Sequence, residues 1–169
     1  LFLAAAEEHA NAMQTQQQKD QHADCQNNPL LPLHCQEAIQ EVLDLIKEQG
    51  IKMVDFKMVD INGQYRHVTI PAENFSEETM RSGIGFDASN YGYAVVEKSD
   101  MVFIPDPDSA AIDPFCEIPT LSMVGNAMII DYPENRPLAQ YPRNIVAAAE
   151  QYMKDSGVAD TMLILPEFE

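Results

Sequence analysis

The strongest constraint on the fold is a predicted hairpin in the segment IKMVDFKMVDINGQYRHVTIP. Apolar Val54, Phe56 and Met58 alternate with polar residues, which is the period of a strand with one buried face. A second alternating run begins just after Asn62-Gly63, the dipeptide that favours a tight mirror-image hairpin turn. We therefore expect two antiparallel strands joined by such a turn.

Helices and further strands are predicted on both sides of this hairpin. CQEAIQEVLDLIKEQG carries an apolar helical stripe and stops at Gly50, and YPRNIVAAAEQYMKDSG has Pro142 in its first turn and Gly157 at its stop. A short helical turn capped by Ser76 follows the hairpin. DMVFIPD, TLSMVGNAMII and ADTMLILPEFE read as strands, with a loop over residues 131–140. This mixture predicts an α+β fold.

Charge and cysteine content limit the partners and the compartment. The 169 residues include 27 acids and 10 bases, a formal net charge of −17, and such a surface repels nucleic acid and anionic membranes. No apolar run reaches the ~18 residues of a membrane span. Three cysteines without a CxxC pair predict free thiols in a reducing compartment, hence a cytoplasmic protein. Residues 1–35 are polar and biased in composition, which predicts a poorly ordered arm.

Two carboxylates close the sequence. Glu167 and Glu169 are two residues apart at the end of the predicted last strand, so their side chains would project to the same side. Carboxylate oxygens in such a pair suit Mg²⁺ or Mn²⁺, and each could take one of two neighbouring ions. From these residues alone, a solvated strand face is the more common explanation.

A further acid lies in the segment GFDASNYGYAVVEKSDMVFIPD, which starts as a turn-prone loop and ends as an apolar run. Asp87 in this loop has two possible functions. It could accept hydrogen bonds from its own backbone, which is the usual reason for an aspartate in a turn. Alternatively, it could bind a cation with its carboxylate. The residues alone favour the first explanation.

Taken together, the motifs resemble type I glutamine synthetases. FDASN matches the family's F-D-G-S-S loop, SDMVFIPD and AIDPF match the elements that follow it, and GVADTMLILPEFE matches the strand that ends in P-E-x-E-F. The resemblance covers about Gln36 to Glu169 and excludes the arm. It implies a β-grasp domain at residues 36–135 and the beginning of a catalytic α+β domain at residues 136–169.

The resemblance also implies roles for the loop. Asp87 matches the aspartate that reaches across a subunit interface, helps to form the ammonium site of the neighbouring catalytic domain and removes a proton from ammonium. Asn90 stands where the family has its second loop serine, and Ala88 where it has glycine, so the amine specificity is open at Asn90. Ser89 matches the first serine, and Ser89 and Asp100 are expected at the subunit interface.

For the whole enzyme, the resemblance implies ATP-dependent amidation of glutamate through γ-glutamyl phosphate. Glu167 matches a ligand of the metal that bridges the ATP phosphates, and Glu169 a ligand of the metal near glutamate. The partners would be glutamate, ammonium, ATP and further copies of the chain in a ring, a dodecamer in this family. The other ligands would follow Glu169, so the chain alone should be inactive. A γ-glutamyl ligase for another amine, which Asp87 disfavours, and a non-catalytic β-grasp interaction module are the alternatives.

Overall fold

The computed structural model describes residues 33–131 and 133–165, and their fold is α+β, as predicted. The predicted arm up to residue 32, Glu167 and Glu169 lie outside the described residues. The helices are α1 (Leu33–Glu48), α2 (Glu77–Ser82) and α3 (Pro142–Asp155). The strands are β1 (Met53–Val59), β2 (Tyr65–Pro71), β3 (Ile84–Asp87), β4 (Asp100–Pro105), β5 (Ala111–Ile112), β6 (Thr120–Ile129) and β7 (Arg136–Pro137).

One mixed sheet organises the molecule. Its main strands lie in the order β2-β1-β6-β4-β3, and the two short strands β5 and β7 pair with β6. The β1–β6 pair is parallel, and the other pairs are antiparallel. A parallel pair needs a long crossover connection, and here the chain between β1 and β6 forms β2 to β5.

The central strand β6 changes partner in its middle. Its first half pairs with β1, and from Gly125 onward it pairs with β4. A Cβ atom at Gly125 would lie 2.2 Å from the Ile104 carbonyl oxygen and 2.8 Å from the Phe103 ring. Only glycine allows β4 to approach this closely, which explains a glycine in the middle of a strand.

The core lies between the inner face of this sheet and the helices α1 and α2. The inward side chains of β1 are fully buried, as their alternation predicted, and the apolar stripe of α1 packs on them through Ile39 and Val42. α2 begins at the predicted cap, because the Ser76 hydroxyl accepts from the backbone of Thr79. The largest fully buried hydrophobic side chains are those of Tyr141, Phe56, Phe103, Met58, Leu121, Met123, Leu138 and Val54.

The predicted hairpin forms, but the predicted mirror-image turn is wrong. Gly63 has a φ of +82°, whereas Asn62 does not adopt a positive φ, which that turn requires. Asp60 and Gln64 pair through a backbone hydrogen bond of 2.9 Å, which leaves a three-residue loop with a left-handed glycine at its end. The cause is the buried Asp60 carboxylate, which accepts from the backbone of Asn62 and Gln64 and from the Arg66 side chain, each at 2.9 Å.

Three other local predictions differ from the structure. The strand predicted at residues 159–169 is absent from its described part, residues 159–165, and its remaining residues lie outside the described ranges. Leu163 and Leu165 are 90% exposed, because no described strand offers them a hydrogen-bonded neighbour. The segment predicted as an opening loop begins with β3, and the predicted loop at 131–140 contains β7. Both are short strands that pair with longer ones, and neither has enough residues to show an alternating pattern.

The two cysteines within the described residues differ. Cys116 is free, as predicted, and exposed. Cys35 is buried and disulfide-bonded, so the prediction of free thiols is wrong for this residue, and it does not support a reducing compartment. Counting cysteines does not reveal which of them lie close in space. Within the described ranges, no helix has both the length and the apolar character needed to cross a membrane.

Candidate functional site

The candidate site is the Asp87 loop, which we define as residues 87–99, between β3 and β4. Asp87 is the last residue of β3 and pairs with Asp100, the first residue of β4. A single turn of 3-10 helix, Ala88–Tyr91, follows Asp87 and ends at the left-handed Gly92. The Ala88 N–H donates to the Ser99 carbonyl oxygen at 2.8 Å, which closes the base of the loop.

The Asp87 carboxylate is exposed and held in place by its own loop. Its Oδ1 atom accepts from the Ser89 backbone N–H at 2.9 Å and from the Ser89 hydroxyl at 2.7 Å. The pKa of Asp87 is lowered below its ordinary value, chiefly by the Ser89 hydroxyl and, to a smaller extent, by the Ser99 hydroxyl and the Ser89 N–H. As a result, Asp87 carries its full negative charge at neutral pH. Asp87 therefore makes the local turn contact and also presents a charge to solvent.

The other predicted loop residues lie close to Asp87 but differ in exposure. Asn90 is exposed at the end of the 3-10 turn, Ser89 is half-buried beneath the carboxylate, and Asp100 is exposed on the neighbouring strand. Ala88 is fully buried, and its backbone is not left-handed, so the glycine expected here is not needed for the loop conformation. The link between Ser99 and Asp87 was not predicted from the sequence, because nothing near Ser99 points to a residue 12 positions earlier.

Aromatic residues support the loop from inside. Tyr93 is buried, its hydroxyl donates to the Val59 carbonyl oxygen, and its ring meets that of Tyr141 edge-on at 5.9 Å. Tyr91 stacks on Tyr93 at 6.5 Å and meets Phe86 edge-on at 5.5 Å. Burial raises the pKa of Tyr93, so its hydroxyl keeps the proton that it donates.

A second polar group lies on the outer face of β1 and β2. The Asp55 Oδ1 atom lies 2.7 Å from His67 Nδ1 and accepts from the Thr69 hydroxyl at 2.6 Å. The hydroxyl and the carboxylate both approach the same ring nitrogen, whereas a nucleophilic triad uses opposite ring nitrogens. His67 is exposed on the sheet surface.

Asp113, the aspartate of the AIDPF motif, has a structural role. Asp113 Oδ2 accepts from Lys57 Nζ at 2.7 Å and from the Ser122 hydroxyl at 3.0 Å, and Oδ1 accepts from the Phe115 N–H at 2.9 Å. The Lys57 ammonium, followed by the Phe115 N–H, lowers the pKa of Asp113 to about 2. These contacts tie the segment after β5 to β1 and β6.

The predicted metal ligands Glu167 and Glu169 lie outside the described residues. Within residues 33–131 and 133–165, no group of three or more His, Cys, Asp or Glu side chains is placed to hold a metal ion. The described part of the candidate site therefore consists of the Asp87 loop and its supports.

Comparisons with known proteins identify relatives of this chain. Residues 50–129 match the family described as the glutamine synthetase β-grasp domain. Glutamine synthetase from Aquifex aeolicus is 43% identical over 131 residues, which are 77% of this chain and 28% of that protein. A protein named 3-hydroxylaminophenol mutase, from Cupriavidus pinatubonensis, is 36% identical over 134 residues, which are 79% of this chain and 28% of that protein.

Solved structures share the fold at low identity. A GmaS/ADP complex superposes with a TM-score of 0.60 at 20% identity, covering 68% of this chain and 26% of that chain. Plasmodium falciparum glutamine synthetase, determined by cryo-electron microscopy, superposes with a TM-score of 0.57 at 19% identity, covering 70% of this chain and 23% of that chain. The chain thus spans about 28% of the length of the curated relatives that it matches.

Proposed function

The chain belongs to the glutamine synthetase family through its β-grasp domain, and we propose that it is part of a longer glutamate–ammonia ligase. In this reaction the γ-carboxylate of glutamate attacks the γ-phosphate of ATP, which forms γ-glutamyl phosphate and releases ADP. Ammonia then attacks the acyl carbon and phosphate leaves, which gives glutamine. We place the β-grasp domain at residues 36–135, the start of the catalytic domain at 136–169, and the enzyme in the cytoplasm.

The observation that carries this proposal is the exposed, ionised carboxylate of Asp87. Ammonium has no lone pair, so it must lose a proton before its nitrogen can attack the acyl carbon. A lowered pKa makes Asp87 a better binding group for a cation and a weaker base. We therefore propose that Asp87 first binds ammonium through its charge and then accepts one of its protons, which leaves ammonia to attack the acyl carbon.

The neighbours of Asp87 have supporting roles in this proposal. Ser89 holds the carboxylate through two hydrogen bonds, and Asp100 adds a second negative charge beside it. We place both residues at the interface with a neighbouring subunit. Asn90 offers an amide in place of a hydroxyl on the same turn, and it would help to set which amine is accepted.

The metal chemistry belongs to residues at the end of the chain. We propose Glu167 and Glu169 as ligands of Mg²⁺ or Mn²⁺, since these ions prefer carboxylate oxygens. Such ions, when bound, screen the phosphate charges of ATP. Two carboxylates are too few for two such ions, so we expect no glutamine synthesis from the 169-residue chain alone.

A direct assay tests the proposed reaction. The full-length protein that contains this chain is incubated with glutamate, ATP, Mg²⁺ and ammonium, and glutamine is quantified by mass spectrometry. The same assay with methylamine or ethanolamine in place of ammonium tests a γ-glutamyl ligase for another amine. Because one relative is named as a mutase, family membership alone does not decide the reaction. Absence of product with every amine would overturn the ligase proposal.

The proposed sharing of sites between subunits has its own test. We propose a homo-oligomeric ring, a dodecamer as the family resemblance implies, in which Asp87 serves the site of a neighbouring subunit. We expect Asp87→Asn subunits and Glu169→Gln subunits each to have at most a small residual activity. When the two variants are dissociated and reassembled together, some sites contain both native residues and activity returns. Assembled hybrids without activity would show that Asp87 does not act across the interface.

A further inference from the structure

Two buried tyrosines meet at the backbone of Val59, the last residue of β1. The Tyr93 hydroxyl donates to the Val59 carbonyl oxygen, and the Val59 backbone also lies beside the Tyr141 hydroxyl. The two rings lie edge-on, with their centroids 5.9 Å apart, and their exposed fractions are 6% and 1%. This contact joins three distant parts of the sequence, namely the Asp87 loop, the hairpin and the start of α3.

Tyr93 is connected to Asp87 through the backbone of the loop. The Tyr93 N–H donates to the Ala88 carbonyl oxygen at 3.1 Å, and the Ala88 N–H donates to Ser99 at 2.8 Å. Ala88 is fully buried and adjacent to Asp87. A displacement of Tyr93 would therefore move the residue next to Asp87.

The remainder of the loop has little packing of its own. Val95 and Val96 are 64% and 73% exposed, and the next backbone hydrogen bond, from Lys98 to Val95, stays within the loop. Tyr91, which stacks on Tyr93, is only half-buried. Between Ala88 and Ser99, Tyr93 is the only buried residue, so it supplies the main contact of residues 89–98 with the body of the domain.

We propose that Tyr93 is a positioning residue for ammonium binding, because its bond to Val59 and its contact with Tyr141 fix the loop conformation that presents the Asp87 carboxylate. This inference rests on the proposed function, in which Asp87 binds ammonium. Tyr93 itself touches no reacting atom in this account. Removing its hydroxyl should therefore affect the use of ammonium and leave the use of ATP and glutamate unchanged.

The test compares kinetic constants of the full-length enzyme and its Tyr93→Phe variant, which keeps the ring and loses the hydroxyl. We expect the KM for ammonium to rise about 3- to 10-fold, the loss that a hydrogen bond of ordinary strength gives. The KM values for ATP and glutamate should stay within about twofold, since only the loop is loosened. Tyr65→Phe is the matched control, because Tyr65 is 72% exposed. A merely structural role would lower kcat through a smaller active fraction and leave all three KM values unchanged.

Hydrogen exchange in the same proteins gives a second readout that needs no activity. We expect faster amide exchange in peptides covering residues 87–99 of Tyr93→Phe, and unchanged exchange in peptides from β6. Unchanged exchange in the loop would overturn the inference.

The kinetic outcomes also separate this inference from the proposed function. If Asp87→Asn raises the KM for ammonium and Tyr93→Phe does not, only the positioning role is overturned. If neither variant changes it, the proposed role of Asp87 fails, and the positioning role fails with it.

Discussion

Asp87 and Asp100 lie opposite each other as the last residue pair of the β3–β4 ladder, with both side chains exposed at the base of the loop. Directly opposite residues of an antiparallel pair have Cβ atoms only ~4.5–5.5 Å apart, so the two like charges repel. A monovalent cation beside them would offset this repulsion. The pair is therefore suited to attracting ammonium, at some cost in stability.

Replacing Asp100, the second acid of this pair, should show both its cost in stability and its contribution to ammonium binding. Asp100→Asn should raise the free energy of unfolding by ~0.2–1 kcal/mol, because it removes like charges that face each other. It should also raise the KM for ammonium about fourfold at low salt, since unit charges ~5 Å apart in water interact by ~0.8 kcal/mol. Urea unfolding measures the change in stability, and steady-state kinetics measure the change in KM. The control is Glu97→Gln, because Glu97 is exposed in the same loop. No change in either quantity would show that Asp100 does not act on this site.

Arg143 should be important for holding α3 on the sheet. Its guanidinium donates to the buried Asp106 carboxylate and, at 3.1 Å, to Asn126 Oδ1. Arg143→Met should lower the free energy of unfolding by ~1–3 kcal/mol, because it removes a partner from a buried charge.

The matched control is Arg136→Met, which removes an exposed ion pair with Asp131. Its effect on urea unfolding should stay below ~0.5 kcal/mol, because exposed pairs contribute little. Equal effects of the two substitutions would contradict the importance of the buried contact.

The acid sensitivity of the fold should depend in part on Asp113. Its pKa is lowered to about 2, chiefly by the Lys57 ammonium, so its ionised form is favoured in the folded state. A lowered pKa contributes stability above the ordinary value near 3.8, and this contribution is lost as the pH falls from there through about 2. Thermal unfolding should show Asp113→Asn less stable than the wild type at pH 6, with the difference shrinking toward pH 2. A difference that is constant with pH would contradict this.

Much of the fold could be predicted from local patterns. The alternation in β1, the apolar stripe of α1 and the serine cap of α2 are all set by residues within a few positions of each other. The prediction of a mirror-image hairpin turn is wrong, because the buried Asp60 carboxylate determines the turn geometry more than Asn62-Gly63 does. This carboxylate accepts hydrogen bonds from two backbone N–H groups of the turn. The strand expected at residues 159–169 is wrong over the described residues 159–165, because a strand depends on a neighbour and an apolar pattern cannot show whether a neighbour exists.

The candidate site is harder to predict from the sequence than the fold is. Asp87 looks like an ordinary turn aspartate, and in the structure it makes the contacts of one, so only the resemblance of the surrounding motifs singled it out. Its supports come from elsewhere in the chain. Tyr93 bonds to a carbonyl 34 positions earlier in the sequence, and no periodicity or spacing predicts a contact at that separation.

The most direct test of the central claim is the kinetics of Asp87→Asn in the full-length enzyme, with ammonium varied at saturating ATP and glutamate. This substitution keeps the size of the side chain and removes both its charge and its basicity. We predict that turnover with ammonium falls by ~10²–10⁴-fold, the usual effect of losing a general base, while binding of ATP and glutamate stays within about twofold. Wild-type turnover and an unchanged KM for ammonium in this variant would contradict the account.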